Sequence, residues 1–173
     1  TSGTITIEGQ PVEGPGRDRG MVFQDATLFP WRTALANIAW PMEVEGISKG
    51  EAKSRAKELL AKVGLEKFEN AYPGELSGGM RQRAALARTL AMEPSVLLMD
   101  EPFGALDAQT REDMQEELMR LWQAYDLTVI FITHDISEAI FLGDHVVVMG
   151  AAPGRILEDI QIDLGRPRTA ETR

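Results

Sequence analysis

The sequence predicts an α/β fold with a mainly parallel core sheet, antiparallel β strands at the amino end and a small helical lobe. Three observations carry this prediction. Short β-branched apolar runs alternate with long amphipathic segments after residue 95. Residues 4–24 instead alternate with the strand period and are broken by Gly and Pro, whereas residues 48–92 carry helical patterns. With 173 residues, we expect a single domain over 1–173, with a helical subdomain at about 32–93 inserted in the α/β core.

Composition narrows the class of protein. The chain has no cysteine, which excludes disulfides and thiolate metal sites. Its longest apolar runs, at 127–133 and 146–149, are far shorter than the roughly 20 residues of a membrane-spanning helix. No secretory leader is visible, and the net charge of −9 argues against a nucleic-acid backbone as the main partner.

The amino end predicts β structure. Residues 4–7 alternate as a strand, 8–11 supply turn chemistry, and 20–24 resume an extended apolar pattern. The chain thus starts within a strand pattern and without Met, from which we expect a fragment of a longer protein, incomplete at its amino end. No Gly-x-x-x-x-Gly-Lys-Ser/Thr loop, which cradles nucleotide phosphates, occurs anywhere in the chain.

The helical lobe begins with a capping box, in which Ser48 and Glu51 start a helix that runs to residue 64. A second helix is predicted over 79–92, where Pro94 stops it.

The second half predicts a β-α-β crossover, which implies parallel strands. Its parts are a strand at 96–99, a helix at 108–125 and a strand at 127–133. A short helix at 135–142 follows, which Asp135 and Glu138 can cap, and strands at 146–149 and about 156–164 end the pattern.

Asp100 and Glu101 are the first candidate site residues. They follow four apolar residues, so both acids lie at the carboxyl end of a buried strand, where open α/β sheets bind ligands. One carboxylate can hold Mg²⁺ and the other can orient a water molecule. For the dipeptide alone, a strand end that turns polar at Pro102 explains the pattern equally well.

Two further candidates can contact phosphate. Ser77, Gly78 and Gly79 precede a helix, where exposed amides and the positive end of the helix dipole suit an anion. The alternative is an ordinary Ser N-cap. His134 ends the strand at 127–133 on the same sheet edge as Asp100, and its alternative is a histidine bonded to a neighbouring loop.

A metal site made of His134, Asp135, Asp144 and His145 is an alternative interpretation of this part of the sequence. His134 ends one strand and His145 begins the next. In a parallel arrangement, the two histidines would lie at opposite edges of the sheet, so this site is disfavoured.

In this order, the motifs resemble the nucleotide-binding domains of ATP-binding cassette (ABC) transporters, which have a P-loop NTPase-like fold. The resemblance covers almost the whole chain. It consists of the Q-loop glutamine Gln24, the signature motif at 76–80, the Walker B strand at 96–100 with the catalytic glutamate Glu101, the D-loop at 105–107 and the switch histidine His134.

Within the family, residues 14–24 and 28–31 look like the nitrate, taurine and aliphatic sulfonate importer branch. The turn at 152–155 and the tail at 166–168 are similar to that branch too. Met80 departs from the commoner glutamine at the fifth signature position, a change also seen in this branch. The resemblance thus implies an importer ATPase for a small anion such as nitrate, sulfonate or taurine, without naming the cargo.

The resemblance also implies roles for the site residues, with ATP and Mg²⁺ as cofactors. Asp100 would coordinate Mg²⁺, Glu101 would polarise the attacking water, and His134 would support the transition-state charge. The implied nucleotide-binding residues are Gln24, Ser77, Gly78, Gly79 and Asp107. Gln24 would also sense Mg²⁺.

The implied partners are a second copy of the chain, membrane permease subunits and, indirectly, a periplasmic or lipoprotein solute-binding protein, with no nucleic acid. In the head-to-tail dimer, Ser77 and Gly79 of one copy close over the γ-phosphate held by the other. The implied location is peripheral, at the cytoplasmic face of the bacterial inner membrane. Four residues have two possible roles: they line the groove that receives a short helix of the permease, or they pack the interface of the lobe. These residues are Phe29, Pro30, Trp31 and Trp40.

In the family, the phosphate loop and an adenine-stacking aromatic residue precede the strand at 4–7. We therefore expect the fragment alone to bind ATP weakly or not at all, to lack turnover and to expose apolar surface. Two alternatives stay open. A soluble ABC ATPase of DNA repair or translation usually has a long coiled coil between Gln24 and Leu76, or two cassettes. A truncated cassette acting only through partner binding is disfavoured for the parent protein by intact Glu101 and His134, but fits the isolated fragment better.

Overall fold

A short antiparallel hairpin opens the part of the computed structural model that is described, residues 3–168. It pairs β1 (Thr6–Ile7) with β2 (Gln10–Pro11). The predicted amino-terminal antiparallel strands are therefore present. They are shorter than the predicted 4–7, and part of the predicted turn serves as the second strand.

The core is a three-stranded parallel sheet in the order β3–β4–β5, as the crossover pattern predicts. Its strands are β3 (Arg19–Val22), β4 (Val96–Asp100) and β5 (Thr128–Ile132). Leu97 of the central strand pairs with Gly20 on one side and Val129 on the other, and it is fully buried. The α/β fold class with a parallel core is confirmed.

Three helices lie between β3 and β4 and pack on one another: α1 (Ala34–Val44), α2 (Lys49–Lys62) and α3 (Gly78–Leu90). Short 3₁₀ turns at Glu66–Phe68 and Pro73–Glu75 connect the last two. Ser48 caps α2 by accepting a hydrogen bond from the amide of Glu51 at 3.3 Å, as its capping box predicts. α1 was not predicted as a helix.

The crossover helix α4 (Ala108–Tyr125) joins β4 to β5 and has the predicted bounds. The short helix α5 (Ile136–Leu142) follows β5. The amphipathic face of α4 contributes Met114, Leu118 and Leu121 to the core, where each is at most 4% exposed. This packing fixes the loop before α4 and the start of α5 near the carboxyl end of the sheet.

The last two strands form a sheet of their own. β6 (His145–Gly150) and β7 (Arg155–Gln161) pair antiparallel, with an irregular register at Val148 and Met149. The placement of His145 on a strand of the parallel sheet is therefore wrong, because a tight turn at 151–154 lets β7 return beside β6.

Several apolar side chains of β5 and of this hairpin are exposed. Ile130 and Ile132 on β5 are 53% and 55% exposed, and Met149 on β6 and Ile156 on β7 are 68% and 65% exposed. Strands of parallel sheets usually bury both faces, so the exposure of Ile130 and Ile132 on β5 is unusual. Among the described residues, no helix is long and apolar enough to cross a membrane.

Candidate functional site

The carboxyl ends of β4 and β5 meet because the two strands are parallel and in register, with Asp100 opposite Ile132. The amide of Glu101 extends this pairing by donating to the carbonyl of Ile132 at 2.9 Å. The backbone of Glu101 then takes a φ of 45°, a left-handed conformation that turns the chain sharply off the strand. As a result, Glu101 Oε2 lies 3.1 Å from Nδ1 of His134, which follows β5.

This pair is accessible to solvent. The side chain of Glu101 is 36% exposed and that of His134 is 76% exposed. Asp100 is exposed at the last position of β4. The sequence prediction that the acidic pair and His134 share one sheet edge is therefore matched by the geometry.

Gln24 reaches the same place from β3. A Cβ built on Gly104 would lie 3.2 Å from Nε2 of Gln24 and 3.7 Å from Oε2 of Glu101. The absence of a side chain at Gly104 thus lets an amide and a carboxylate approach the same point of the loop after β4. Gln24 and Glu101 can both contact a molecule bound there.

Helix α3 holds the chain on both sides of Gln24. The buried side chain of Gln82 donates to the carbonyl of Phe23 at 2.9 Å. Arg88, six residues further along α3, donates to the carbonyl of Thr27 at 2.9 Å and to its hydroxyl at 3.2 Å. Burial lowers the pKa of Arg88, whose guanidinium also lies 5.6 Å from the ring centre of Phe29. The position of Gln24 therefore depends on this helix.

A second group of candidate residues lies at the start of α3. The hydroxyl of Ser77 accepts a hydrogen bond from the amide of Met80 at 3.2 Å, so Ser77 is an N-cap, as its alternative interpretation predicted. Ser77 and Gly78 are exposed, whereas Gly79 is buried against Thr110 of α4. The N-cap role does not occupy the exposed amides of this turn, so the anion-binding interpretation also stands as a prediction.

Asp107 caps α4 next to this group. Its carboxylate accepts hydrogen bonds from the amide of Thr110 at 3.1 Å and from the Thr110 hydroxyl at 2.6 Å. These two bonds lower the pKa of Asp107, so the carboxylate form is favoured. Because Thr110 contacts both Asp107 and Gly79, the turn at 77–80, which contains the predicted signature residues and is called the signature turn below, forms one unit with the loop before α4.

A hydrogen-bonded network behind His134 was not predicted from the sequence. Asp135 caps α5 as predicted, accepting from the amides of Ser137 and Glu138 at 2.8 and 3.2 Å. The side chain of Glu138 has a different role: it accepts from Gln115 of α4 at 3.1 Å and from the hydroxyl of Thr133 at 2.6 Å.

Arg111, on the first turns of α4, completes this network. It donates to the carbonyl of Leu106 at 3.2 Å and to the carboxylate of Asp135 at 3.4 Å. The sequence shows only that polar residues such as Arg111 and Gln115 lie on the crossover helix. Their spacing does not indicate which residues of α5 they contact.

The predicted aromatic residues divide between packing and a groove. Phe29 packs edge-on against Trp40, with ring centres 4.8 Å apart, and both line a groove of about 600 Å³ between α1, α3 and β3. Trp31 is 71% exposed. An ion pair between Arg17 and Glu45 lies on the rim of the groove.

The alternative metal residues do not converge. His145 Nε2 lies 3.0 Å from the carboxylate of Asp159 across the β6–β7 ladder, while His134 contacts Glu101. Among residues 3–168, no group of three or more His, Cys, Asp or Glu side chains can hold a metal ion by itself. The separation of the two histidines thus comes from two different sheets, not from opposite edges of one.

Comparisons with known proteins agree with this architecture. The family model of the ABC transporter domain matches residues 1–104. A solved structure of the ATP-binding cassette MJ0796, a dimer in a post-hydrolysis state bound to ADP and Pi, matches 95% of this chain and 75% of its own, with a TM-score of 0.79 and 32% identity.

Curated relatives are more similar in sequence. An uncharacterised ABC transporter ATP-binding protein, MJ0412 of Methanocaldococcus jannaschii, is 55% identical over 97% of this chain and 63% of its own length. The taurine import ATP-binding protein TauB of Pseudomonas syringae is 52% identical over 98% of this chain and 65% of its own. The nitrate import ATP-binding protein NrtD of Synechocystis is 51% identical over 100% and 65%. The chain thus spans just under two thirds of the length of these relatives.

Proposed function

The chain belongs to the ABC transporter family, and from this premise we propose that its complete protein binds and hydrolyses ATP to drive an importer. The observation that carries the proposal is the contact between Glu101 and His134 at the carboxyl edge of the parallel sheet, with the Gln24 amide beside it. Ligands of open α/β sheets bind at this edge.

Glu101 is the proposed water-orienting residue. Its Oε2 contacts His134, which leaves Oε1 to accept a hydrogen bond from a water molecule aimed at the γ-phosphate. When Nδ1 of His134 carries a proton, it donates a hydrogen bond to Glu101. This bond fixes the orientation of the ring, so that Nε2 is directed away from Glu101. His134 can there support the charge that develops on the transferred phosphoryl group.

Asp100 is the proposed ligand of Mg²⁺, with Gln24 as a second contact. An ion bound together with nucleotide needs only one or two carboxylates, because phosphates and water molecules supply the other oxygens. An exposed carboxylate at a strand end fits that requirement. Within residues 3–168, no group of three or more metal-ligating side chains surrounds it. When bound, Mg²⁺ would neutralise charge on the β- and γ-phosphates.

The signature turn is proposed to act on a second copy of the chain. Ser77 and Gly78 are exposed, and the first amides of α3 can donate to an anion. Asp107 lies in the same unit through Thr110. The MJ0796 cassette with a similar fold is dimeric and bound to ADP and Pi, which supports a nucleotide-binding dimer. The head-to-tail arrangement of that dimer is part of the proposal.

The cargo and the other partners follow from the relatives. TauB and NrtD are named for the import of taurine and of nitrate, so we propose a small anionic or zwitterionic solute. The groove beside Phe29 and Trp40 is the proposed docking place for a short helix of a membrane permease, with a solute-binding protein acting indirectly. The protein would then lie at the cytoplasmic face of the membrane, with 32–93 as a helical subdomain.

The test is ATP hydrolysis by the complete protein and its Glu101→Gln variant. Gln keeps the shape of the side chain but is a far weaker proton acceptor, so turnover should fall at least about 100-fold, the usual contribution of a general base. Glu116→Gln, at an exposed position of α4, is the matched control and should keep full activity. If neither the parent nor the control hydrolyses ATP while folded and dimeric, the proposal fails and a non-catalytic cassette is favoured.

A further inference from the structure

The two backbone segments that flank His134 are held by side chains outside the proposed reaction site. On one side, the hydroxyl of Thr133 donates to Glu138 at 2.6 Å. On the other, the amide of Asp135 donates to the Thr133 hydroxyl at 3.0 Å, and the Asp135 carboxylate caps α5. The histidine ring itself is 76% exposed, and its Nδ1 lies 3.1 Å from the carboxylate of Glu101. Its position therefore depends on these flanking contacts.

Arg111 joins both contacts to the loop before α4. Its Nη1 donates to Asp135 at 3.4 Å, and its Nε lies 3.8 Å from the carboxylate of Glu138. Its Nη2 donates to the carbonyl of Leu106, which directly precedes Asp107. One guanidinium thus contacts three points that belong to two different parts of the proposed machinery.

The chemistry of Arg111 suits this bridging role. Glu138 is 5% exposed, and a buried carboxylate without a cation nearby is costly. The Nε of Arg111 is buried and lacks a hydrogen bond, because its distance to Glu138 is too long for one. Lysine could keep the charge but not the three contacts, because it is a point charge without the planar fork.

We propose that Arg111 is a positioning residue that sets His134 against Glu101 and links its placement to the loop bearing Asp107. The inference rests on the proposed ATPase function. Asp107 lies beside the signature turn that is proposed to face a second copy, so Arg111 connects that surface to the water-orienting pair. A displacement of Leu106 would move the guanidinium, and with it the start of α5.

The first test is a double-mutant cycle in the complete protein, measured as MgATP turnover. If Arg111 acts through His134, Arg111→Ala lowers kcat at least about tenfold while KM changes less than about threefold. In a His134→Ala background, the same substitution lowers the residual single-turnover rate less than about twofold. An equal loss in both backgrounds, or no loss in the parent, overturns the inference.

Arg120→Ala is the matched control. Arg120 lies on the same helix and also pairs with a largely buried glutamate, Glu117, at 2.8 Å. It stands nine residues, or about 13 Å of helix, beyond Arg111. Arg120→Ala removes an arginine pair from the same helix far from His134, so it should leave kcat unchanged even where it lowers the melting temperature. Arg111→Lys should recover part of the kcat lost in Arg111→Ala. If the alanine variant does not fold, Arg111→Lys replaces it in the double-mutant cycle with His134→Ala.

A second readout does not depend on turnover. The 173-residue chain has two histidines, His134 and His145, so their imidazole nitrogen resonances can be assigned by single substitutions. Arg111→Ala should shift the His134 resonances and leave His145, which pairs with Asp159, unchanged. Unchanged His134 resonances overturn the inference. An inactive parent protein overturns the proposed function as well, whereas an active parent with an additive cycle overturns only the role of Arg111.

Discussion

Gly79 offers a direct test of the packing between the signature turn and the D-loop. A Cβ built on Gly79 would lie 2.4 Å from Cγ2 of Thr110 and 3.8 Å from its Cβ. The Thr110 methyl cannot simply rotate away, because the same side chain donates to Asp107 at 2.6 Å. Gly79→Ala therefore forces a choice between a steric clash and the loss of that hydrogen bond.

The size of the effect follows from two opposing terms. Carbon atoms in contact lie about 3.5–4.0 Å apart, and overpacking of this kind costs about 1–3 kcal/mol. Replacing a helical glycine by alanine returns up to about 1 kcal/mol. We expect Gly79→Ala to lower the free energy of unfolding by about 1–2 kcal/mol. In a Thr110→Ser background, which lacks the methyl but keeps the hydroxyl, the same change should be neutral or stabilising.

The assay is denaturant unfolding of the complete protein without nucleotide, comparing midpoints at unchanged slope. Gly50→Ala is the matched control, because Gly50 also occupies the second position of its helix, and a Cβ there meets no atom within 4 Å. It should stabilise slightly in either background. A Gly79→Ala cost that persists in the Thr110→Ser background would refute the steric argument. A slight stabilisation by Gly79→Ala in the parent protein, equal to that of Gly50→Ala, would refute the packing altogether.

Three further predictions concern separate parts of the chain. Asn37 is fully buried and bonds both backbone groups of Phe29 as well as the carbonyl of Arg32, so Asn37→Ala should cost about 3 kcal/mol of stability in denaturant unfolding; a cost below about 1 kcal/mol would contradict this. The pKa of Asp107 should lie below its ordinary value in a carboxyl NMR titration, and Thr110→Val should raise it; since a depressed folded pKa stabilises above the unfolded value, this contribution is lost as pH falls through the folded pKa. Residues 1–173 alone contain no Gly-x-x-x-x-Gly-Lys-Ser/Thr loop and should give no measurable MgATP binding by calorimetry; a Kd tighter than about 1 µM would contradict the need for such a loop.

Helices and strands could be predicted from the sequence where apolar residues recur with a regular helical or strand period. The crossover helix α4 matches its predicted bounds because its apolar residues recur with the helical period and form one buried face, with polar residues on the opposite face. Helix α1 was missed for the opposite reason. It contains Pro41 and buries residues on several faces, since it packs against both α2 and α3, so no amphipathic stripe appears in its sequence.

Site residues were predictable to the extent that their roles depend on strand ends. Asp100, Glu101 and His134 follow apolar runs, and parallel pairing alone brings such positions together. The network of Arg111, Gln115 and Glu138 depends on how two helices face each other, which a sequence period does not encode. Glu138 shows the difference: its spacing from Asp135 suggested a cap, but its carboxylate turns to α4 instead.

The loop at 101–107 links the two groups of site residues through very short chain lengths. Glu101 begins it and contacts His134, Gly104 in the middle gives Gln24 room, and Asp107 ends it beside the signature turn. Within the loop, the Gly104 amide donates to the Glu101 carbonyl at 3.1 Å and the Leu106 amide to the Phe103 carbonyl at 3.1 Å, so it has little freedom to stretch. In the proposed dimer, the signature turn of a copy serves the nucleotide of its partner, whereas Glu101 serves its own. In that dimer, the seven-residue loop at 101–107 would connect the two nucleotide sites through the chain, and we expect Arg111→Ala, which removes the contact to Leu106, to weaken this connection.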